Sequence, residues 1–102
     1  MAGFGLVVRF TLKPGQETAF DELVSQTLIG IRSDEPGTHV YASHTVEGAP
    51  GVRLFYELYA DRAAFDEHER QPHVQDFLAA RGEHVESYTV DFLDLIAAKD
   101  TD

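Results

Sequence analysis

Between Phe4 and Leu12 the side chains alternate, with Leu6, Val8, Phe10 and Leu12 on one side of an extended chain and Val7, Arg9 and Thr11 on the other. A period of two predicts a half-buried strand. Lys13-Pro14-Gly15 ends it, because proline brings no amide hydrogen to a ladder and glycine opens the turn. The period then changes. Phe20, Leu23, Val24, Thr27, Leu28 and Ile31 recur at spacings of three and four, with Glu17, Asp21 and Glu22 on the opposite side. This predicts an amphipathic helix of about five turns, closed by Pro36-Gly37.

Thr38 to Val46 and Val52 to Tyr59 are rich in β-branched and aromatic residues and read as two strands joined by the loop Glu47-Gly48-Ala49-Pro50-Gly51. Placing Val46 opposite Val52 pairs His44 with Leu54, Ala42 with Tyr56 and Val40 with Leu58 on one face. His39, Tyr41, Ser43, Phe55, Glu57 and Tyr59 then share the other face. Asp61 suits the N-cap of a short helix to Arg70, with Ala64, Phe65 and His68 turned inward. Pro72 opens a further helix whose inward stripe is Val74, Phe77, Leu78, Arg81 and Val85. Tyr88, Val90 and Phe92 alternate with Thr89, Asp91 and Leu93 as a last strand, and residues from about 98 to 102 read as a frayed tail.

The order is β-α-β-β-α-β, the ferredoxin-like arrangement of the α+β class: a four-stranded antiparallel sheet with helices on one face. The length of 102 residues fits a single domain, 1–102. The pattern assigns Leu6, Val8, Phe10, Val40, Leu54 and Leu58 to the face under the helices. It leaves Val7, Tyr41, Phe55, Glu57 and Tyr59 on the uncovered face, where a second copy of the chain would cover them. Self-association as a homodimer is the expectation.

Composition narrows the function classes. Eight basic and eighteen acidic residues give a net charge of −10, which repels nucleic acid and anionic membranes. With no cysteine, disulfides, thiolate metal sites and a cysteine nucleophile are excluded. Neither a signal-peptide pattern nor a membrane-length apolar run is present, so the expected location is cytoplasmic. There is no glycine-rich phosphate loop and no Gly-x-Ser-x-Gly elbow, and the five histidines show no paired ligand motif; neither cofactor nor metal is expected.

Four polar positions could carry chemistry. His68 lies on the inward stripe of its helix; it is either a buried imidazole satisfied by a carbonyl or carboxylate, or a general base. His73 follows Pro72 in a first helical turn, where it either packs the turn or accepts a proton. His44 and Tyr56 interrupt an otherwise apolar face; they either bond each other or water, or line a pocket between sheet and helices. Glu57 with Arg9 reads as an ion pair at the subunit contact.

From about Leu6 to Ile96 the chain resembles the antibiotic biosynthesis monooxygenase domains. The resemblance rests on Lys13-Pro14-Gly15, on Glu35-Pro36-Gly37, and above all on Phe55-Tyr56-Glu57-Leu58-Tyr59 followed by Asp61, Phe65, His68, Pro72, His73 and Phe77. It implies dimeric α/β barrels of ferredoxin-like subunits. In the quinone-forming members a phenol or quinol loses a proton and its anion passes an electron to dioxygen, so the protein supplies only a base and an anion-stabilising pocket. Carried onto this chain, that implies His68 or His73 as the base, His44 and Tyr56 holding the anion, and Phe65 and Phe77 as further substrate contacts. The reading is a cofactor-free monooxygenase or oxidase of a small phenolic or quinol-like metabolite, with dioxygen as co-substrate. The alternatives are an acid–base isomerase of a small carbonyl compound and a non-catalytic ligand-binding dimer. Haem degradation, which depends on tryptophan and asparagine in that superfamily, is disfavoured because the chain has neither.

Overall fold

A computed structural model describes residues 3–99. Its elements are β1 (Phe4–Leu12), α1 (Glu17–Asp34), β2 (Thr38–Val46), β3 (Ala49–Tyr59), α2 (Arg62–Arg70), α3 (Pro72–Ala80), a 3₁₀ turn (Arg81–Glu83) and β4 (Val85–Asp94). The strands form one antiparallel sheet in the order β2-β3-β1-β4. The expected ferredoxin-like order is therefore present, with its second helical segment split into α2 and α3. The split is local chemistry: Gln71 is extended (φ −67, ψ 140), as a residue before proline prefers, and Pro72 starts the next helix. Asp61 caps α2 by accepting a bond from the Ala64 amide at 2.8 Å. The tail expectation lies outside the described residues from 100 onward.

Two details differ from expectation. The β2–β3 connection is a two-residue turn, Glu47-Gly48, with Gly48 at φ +79, and the register shifts between Thr45 and Val46. Pro50 falls beyond Val52, the last β3 residue paired with β1, so it removes no bond from that ladder. Val85, expected at the end of a helical stripe, begins β4 instead, because the 3₁₀ turn at Arg81–Glu83 has already closed the helix.

The larger correction concerns faces. The β2–β3 pairs His44–Leu54, Ala42–Tyr56 and Val40–Leu58 are as expected, but β1 meets β3 through Leu6–Glu57, Val8–Phe55 and Phe10–Arg53. The apolar row of β1 thus continues into Arg53, Phe55, Glu57 and Tyr59, not into Leu54, Tyr56 and Leu58. Phe55 and Tyr59 are fully buried, and Phe55 joins Phe10, Phe20 and Phe77 in an aromatic core with ring centroids 5.0 to 6.4 Å apart. Tyr41, Phe55, Glu57 and Tyr59 therefore face the helices and cannot form an interface on the uncovered sheet face. Arg9 is exposed on the opposite side from Glu57, so the expected ion pair is absent.

Polar residues are tolerated in the covered row because each is paired. Arg53 is clamped by Asp21 of α1 at 2.9 and 3.0 Å and donates to the Pro50 and Val52 carbonyls. Glu57 accepts from Tyr59.

Candidate active site

The α1 helix ends at Asp34, and Glu35 follows as its C-cap, before the Pro36-Gly37 turn that leads into β2. This places the Glu35 carboxylate between the sheet and the α2–α3 break, with its side chain only 2 % exposed. A buried carboxylate is costly unless it is fully bonded. Here one oxygen accepts from the Thr38 hydroxyl and from His68 Nδ1, both at 2.7 Å, and the other from His73 Nε2 at 2.5 Å. The two histidines are brought to one acid across 33 and 38 residues of sequence. Each imidazole points at its own carboxylate oxygen, which is a hydrogen-bonding arrangement and not a shared metal site.

Since an ionised carboxylate can only accept, His68 carries its proton on Nδ1 when neutral. Its Nε2 is then the basic nitrogen, and no described residue bonds to it. The ring is held from the side by Tyr59 and Tyr41, with centroids 5.2 and 5.5 Å away. His73 is seated against α1 at Gly30. A Cβ on Gly30 would come within 2.3 Å of the His73 ring, so only glycine leaves room for it.

The edge of His68 opens onto a cavity of about 240 Å³ between the sheet and helices α2 and α3. Leu6, Val8, Phe65 and Phe77 give it apolar walls. Tyr41 and Glu57 add polar groups beside His68, and Glu69, Arg81, Tyr88 and Phe92 complete it toward solvent. The Tyr59 hydroxyl donates to Glu57 Oε1 at 2.5 Å, and no described residue bonds Glu57 Oε2. Burial, opposed by that hydrogen bond and reinforced by the nearby Glu69 and Glu35, pushes the Glu57 carboxyl up to about 7. Glu57 can therefore carry a proton near neutrality. Burial first, then the charges of Glu57 and Glu35, also raise the Tyr41 phenol well above its ordinary range. It stays a hydroxyl, with no hydrogen-bond partner among the described residues.

Of the residues singled out from sequence, His68, Phe65 and Phe77 line this cavity, and His73 stands behind it on Glu35. His44 and Tyr56 do not. Both project from the uncovered sheet face, where His44 Nδ1 bonds the Leu54 carbonyl at 3.0 Å. Strand alternation placed them correctly opposite Phe55 and Glu57, but the β1–β3 register turns that row away from the helices. Glu57 and Tyr41 enter the cavity in their stead.

Sequence reasoning missed Glu35 as a functional group. The one available signal was an acid directly ahead of Pro36-Gly37, at a helix end where a negative charge is unfavourable unless something else holds it. Among the described residues, no group of three or more His, Asp or Glu has metal-binding geometry, and no helix is long and apolar enough to cross a membrane.

Known structures share this architecture. A protein of Caulobacter crescentus bearing the antibiotic biosynthesis monooxygenase name superposes with a TM-score of 0.88 at 23% identity, covering 94% of this chain and 92% of that one. Protein SO0527 of Shewanella oneidensis gives 0.86 at 26% identity (95% and 94% covered), and Rv0793 of Mycobacterium tuberculosis 0.84 at 24% (97% and 99%). No functionally curated protein matches the chain. The model of the antibiotic biosynthesis monooxygenase family matches residues 3–80, which span β1 through α3 and include Glu35, Glu57, His68 and His73. The chain belongs to the antibiotic biosynthesis monooxygenase family.

Proposed function

We propose that the protein is a cofactor-free monooxygenase or oxidase of a small phenolic or quinol-like compound, with His68 as its base. The observation that carries this reading is the orientation of His68. Glu35 fixes its Nδ1–H, Nε2 has no partner among the described residues and is not sealed from solvent, and the residue lines an aromatic-walled cavity. A base held in one tautomer by a buried carboxylate, which also stabilises the imidazolium once formed, is the arrangement that proton abstraction needs. Tyr41 and protonated Glu57 can donate to the resulting oxyanion.

The chemistry balances without an external reductant. A phenol with a free para carbon and dioxygen give a para-quinone and water, one oxygen atom entering the ring and the other leaving with the phenolic and ring hydrogens. A quinol and dioxygen give a quinone and hydrogen peroxide.

Oxygen uptake with phenols and quinols that fit the cavity is the test. Uptake above the protein-free rate is expected, and His68→Ala should slow it at least tenfold, about 1.4 kcal/mol of barrier. Near-wild-type turnover in that variant removes His68 from the mechanism. One observation favours a second reading: a base (His68) and a titrating acid (Glu57) line one cavity, as an isomerase of a small carbonyl compound requires. Turnover of such a compound without oxygen uptake would establish that reading, whereas retention of a ligand without turnover would leave a binding protein.

The reading includes a homodimer. The sheet face away from the helices carries Val7, Val40, Leu54, Tyr56, Leu58 and Leu93, and none of these is fully buried in one chain. An apolar face left uncovered in one chain supports the reading, because a second copy packed there would bury it, and sedimentation at micromolar concentration should show a dimer.

A further inference from the structure

Arg81, in the 3₁₀ turn after α3, is the single Lys or Arg among the described residues that line the cavity. Three other arginines are matched by acids: Arg53 by Asp21, Arg62 by Asp66 and Arg70 by Glu67. Arg81 has no carboxylate within 4.0 Å among the described residues. Its guanidinium lies 4.5 Å over the Tyr88 ring, and Nη2 donates to the Tyr88 hydroxyl at 3.3 Å. This contact holds the group in place and leaves Nε and Nη1 without an acceptor among the described residues.

The charge of Arg81 also reaches the interior. Burial and the acids Glu57, Glu35 and Glu69 push the Tyr41 phenol up, and Arg81 alone pulls it down. Glu69 lines the same cavity, but no ion pair joins it to Arg81. In a chain with eighteen acidic and eight basic residues, a guanidinium at a cavity would readily find an acid if neutralisation were its purpose. A phenol that arrives neutral is not drawn in by this charge before His68 takes its proton, whereas an anion approaching a chain of net charge −10 gains a local attraction from it.

We infer that Arg81 is the specificity-determining residue that receives a carboxylate on the substrate, so that the cavity takes a hydroxylated aromatic carboxylate. The inference rests on the proposed reading of this cavity as a phenol site and names the substrate class. A planar carboxylate can accept from two edges of a guanidinium at once, and the stacked Arg81 is preorganised for that contact.

The test is equilibrium binding, by NMR titration of the full chain with 5-hydroxy-2-naphthoate and with 1-naphthol, which lacks the carboxylate; both have a free carbon para to the hydroxyl. The acid should bind at least tenfold more tightly. Arg81→Gln should reduce it to the level of the naphthol without changing naphthol binding, and Arg81→Lys should restore part of the preference. Equal binding of the two probes, or a preference that survives Arg81→Gln, would overturn the inference. Oxygen uptake then separates the two claims. An Arg81-dependent preference with no uptake on any phenol upholds carboxylate recognition and removes the oxygenase reading. Oxidation of 1-naphthol with the same KM as the acid upholds the oxygenase reading and removes this one.

Discussion

Replacing Glu35 tests whether the two histidines are held by one acid. In Glu35→Ala, the Thr38 hydroxyl and the donors of His68 and His73 lose their acceptor together, at a site where the carboxylate was 2 % exposed. Each stranded donor would cost about 1–3 kcal/mol if nothing replaced the acid. Water entering from the adjoining cavity recovers part of that, so the working value is about 3–5 kcal/mol, the lower part of the range for three stranded donors. A domain of this size has a total stability of about 5–15 kcal/mol, and the loss should lower Tm by roughly 15–25 °C. Urea denaturation followed by circular dichroism measures the change directly, with an unaltered m-value showing that the unfolded state is the same. Glu35→Gln separates stability from chemistry. The amide keeps the volume but offers one acceptor and one donor group, so one imidazole must lose its bond or change tautomer, for about 1–3 kcal/mol. If His68 is the one released, its Nε2 is no longer fixed as the basic nitrogen, and turnover should fall by roughly 10²–10⁴. Imidazole ¹⁵N shifts report the tautomer. An alanine variant within about 0.5 kcal/mol of wild type at equal m would refute this account of Glu35.

Glu57 gives a pH prediction. Its folded carboxyl is raised from 4.5 to about 7 by burial, so between those values the folded state binds more protons than the unfolded one, and stability falls as pH rises across that window. The fall should total roughly 3 kcal/mol and level off above the folded value; Glu57→Gln should flatten the slope, and an unchanged slope in urea titrations at several pH values would contradict the assignment. At Gly30 the usual gain of about 1 kcal/mol for alanine in a helix should be reversed. A methyl there meets the His73 ring at 2.3 Å, and the displacement should cost about 1–3 kcal/mol in the same assay, with a stabilised Gly30→Ala showing that the ring is not fixed.

How much of this was legible in the sequence depends on the range over which each feature is decided. Strand and helix periods, the Asp61 cap, the Pro72 break and the β2–β3 pairs from Val40–Leu58 to His44–Leu54 are set by neighbouring residues and could be read directly. The turn itself is shorter than expected, and Val46 pairs with Ala49, not Val52. Which row of β3 faces the helices could not. Period two states which residues share a side of one strand, and it cannot say how that side aligns with β1, more than forty residues away. Hydrophobicity favoured the wrong row, since Leu54, Tyr56 and Leu58 look more like core than Arg53, Phe55, Glu57 and Tyr59. The latter row is buried because Asp21, Tyr59 and the carbonyls of Pro50 and Val52 satisfy its polar groups, and those partners exist only in the folded chain.

The same division runs through the site. Helical spacing alone turned His68 inward, and the family resemblance drew attention to both it and His73. The acid that orients them could not be found this way, because Glu35 sits in a turn, outside any period, and meets its partners across more than thirty residues. Arg81 likewise read as one more position on a helical stripe until the turn at Gly82 placed it at the cavity. Sequence by itself determined the elements, their order and one histidine's direction, because these follow from local periodicity. Tertiary structure decided which sheet face is core, which acid holds the base and which cation meets the ligand, because burial and hydrogen bonding are properties of groups that only folding brings together.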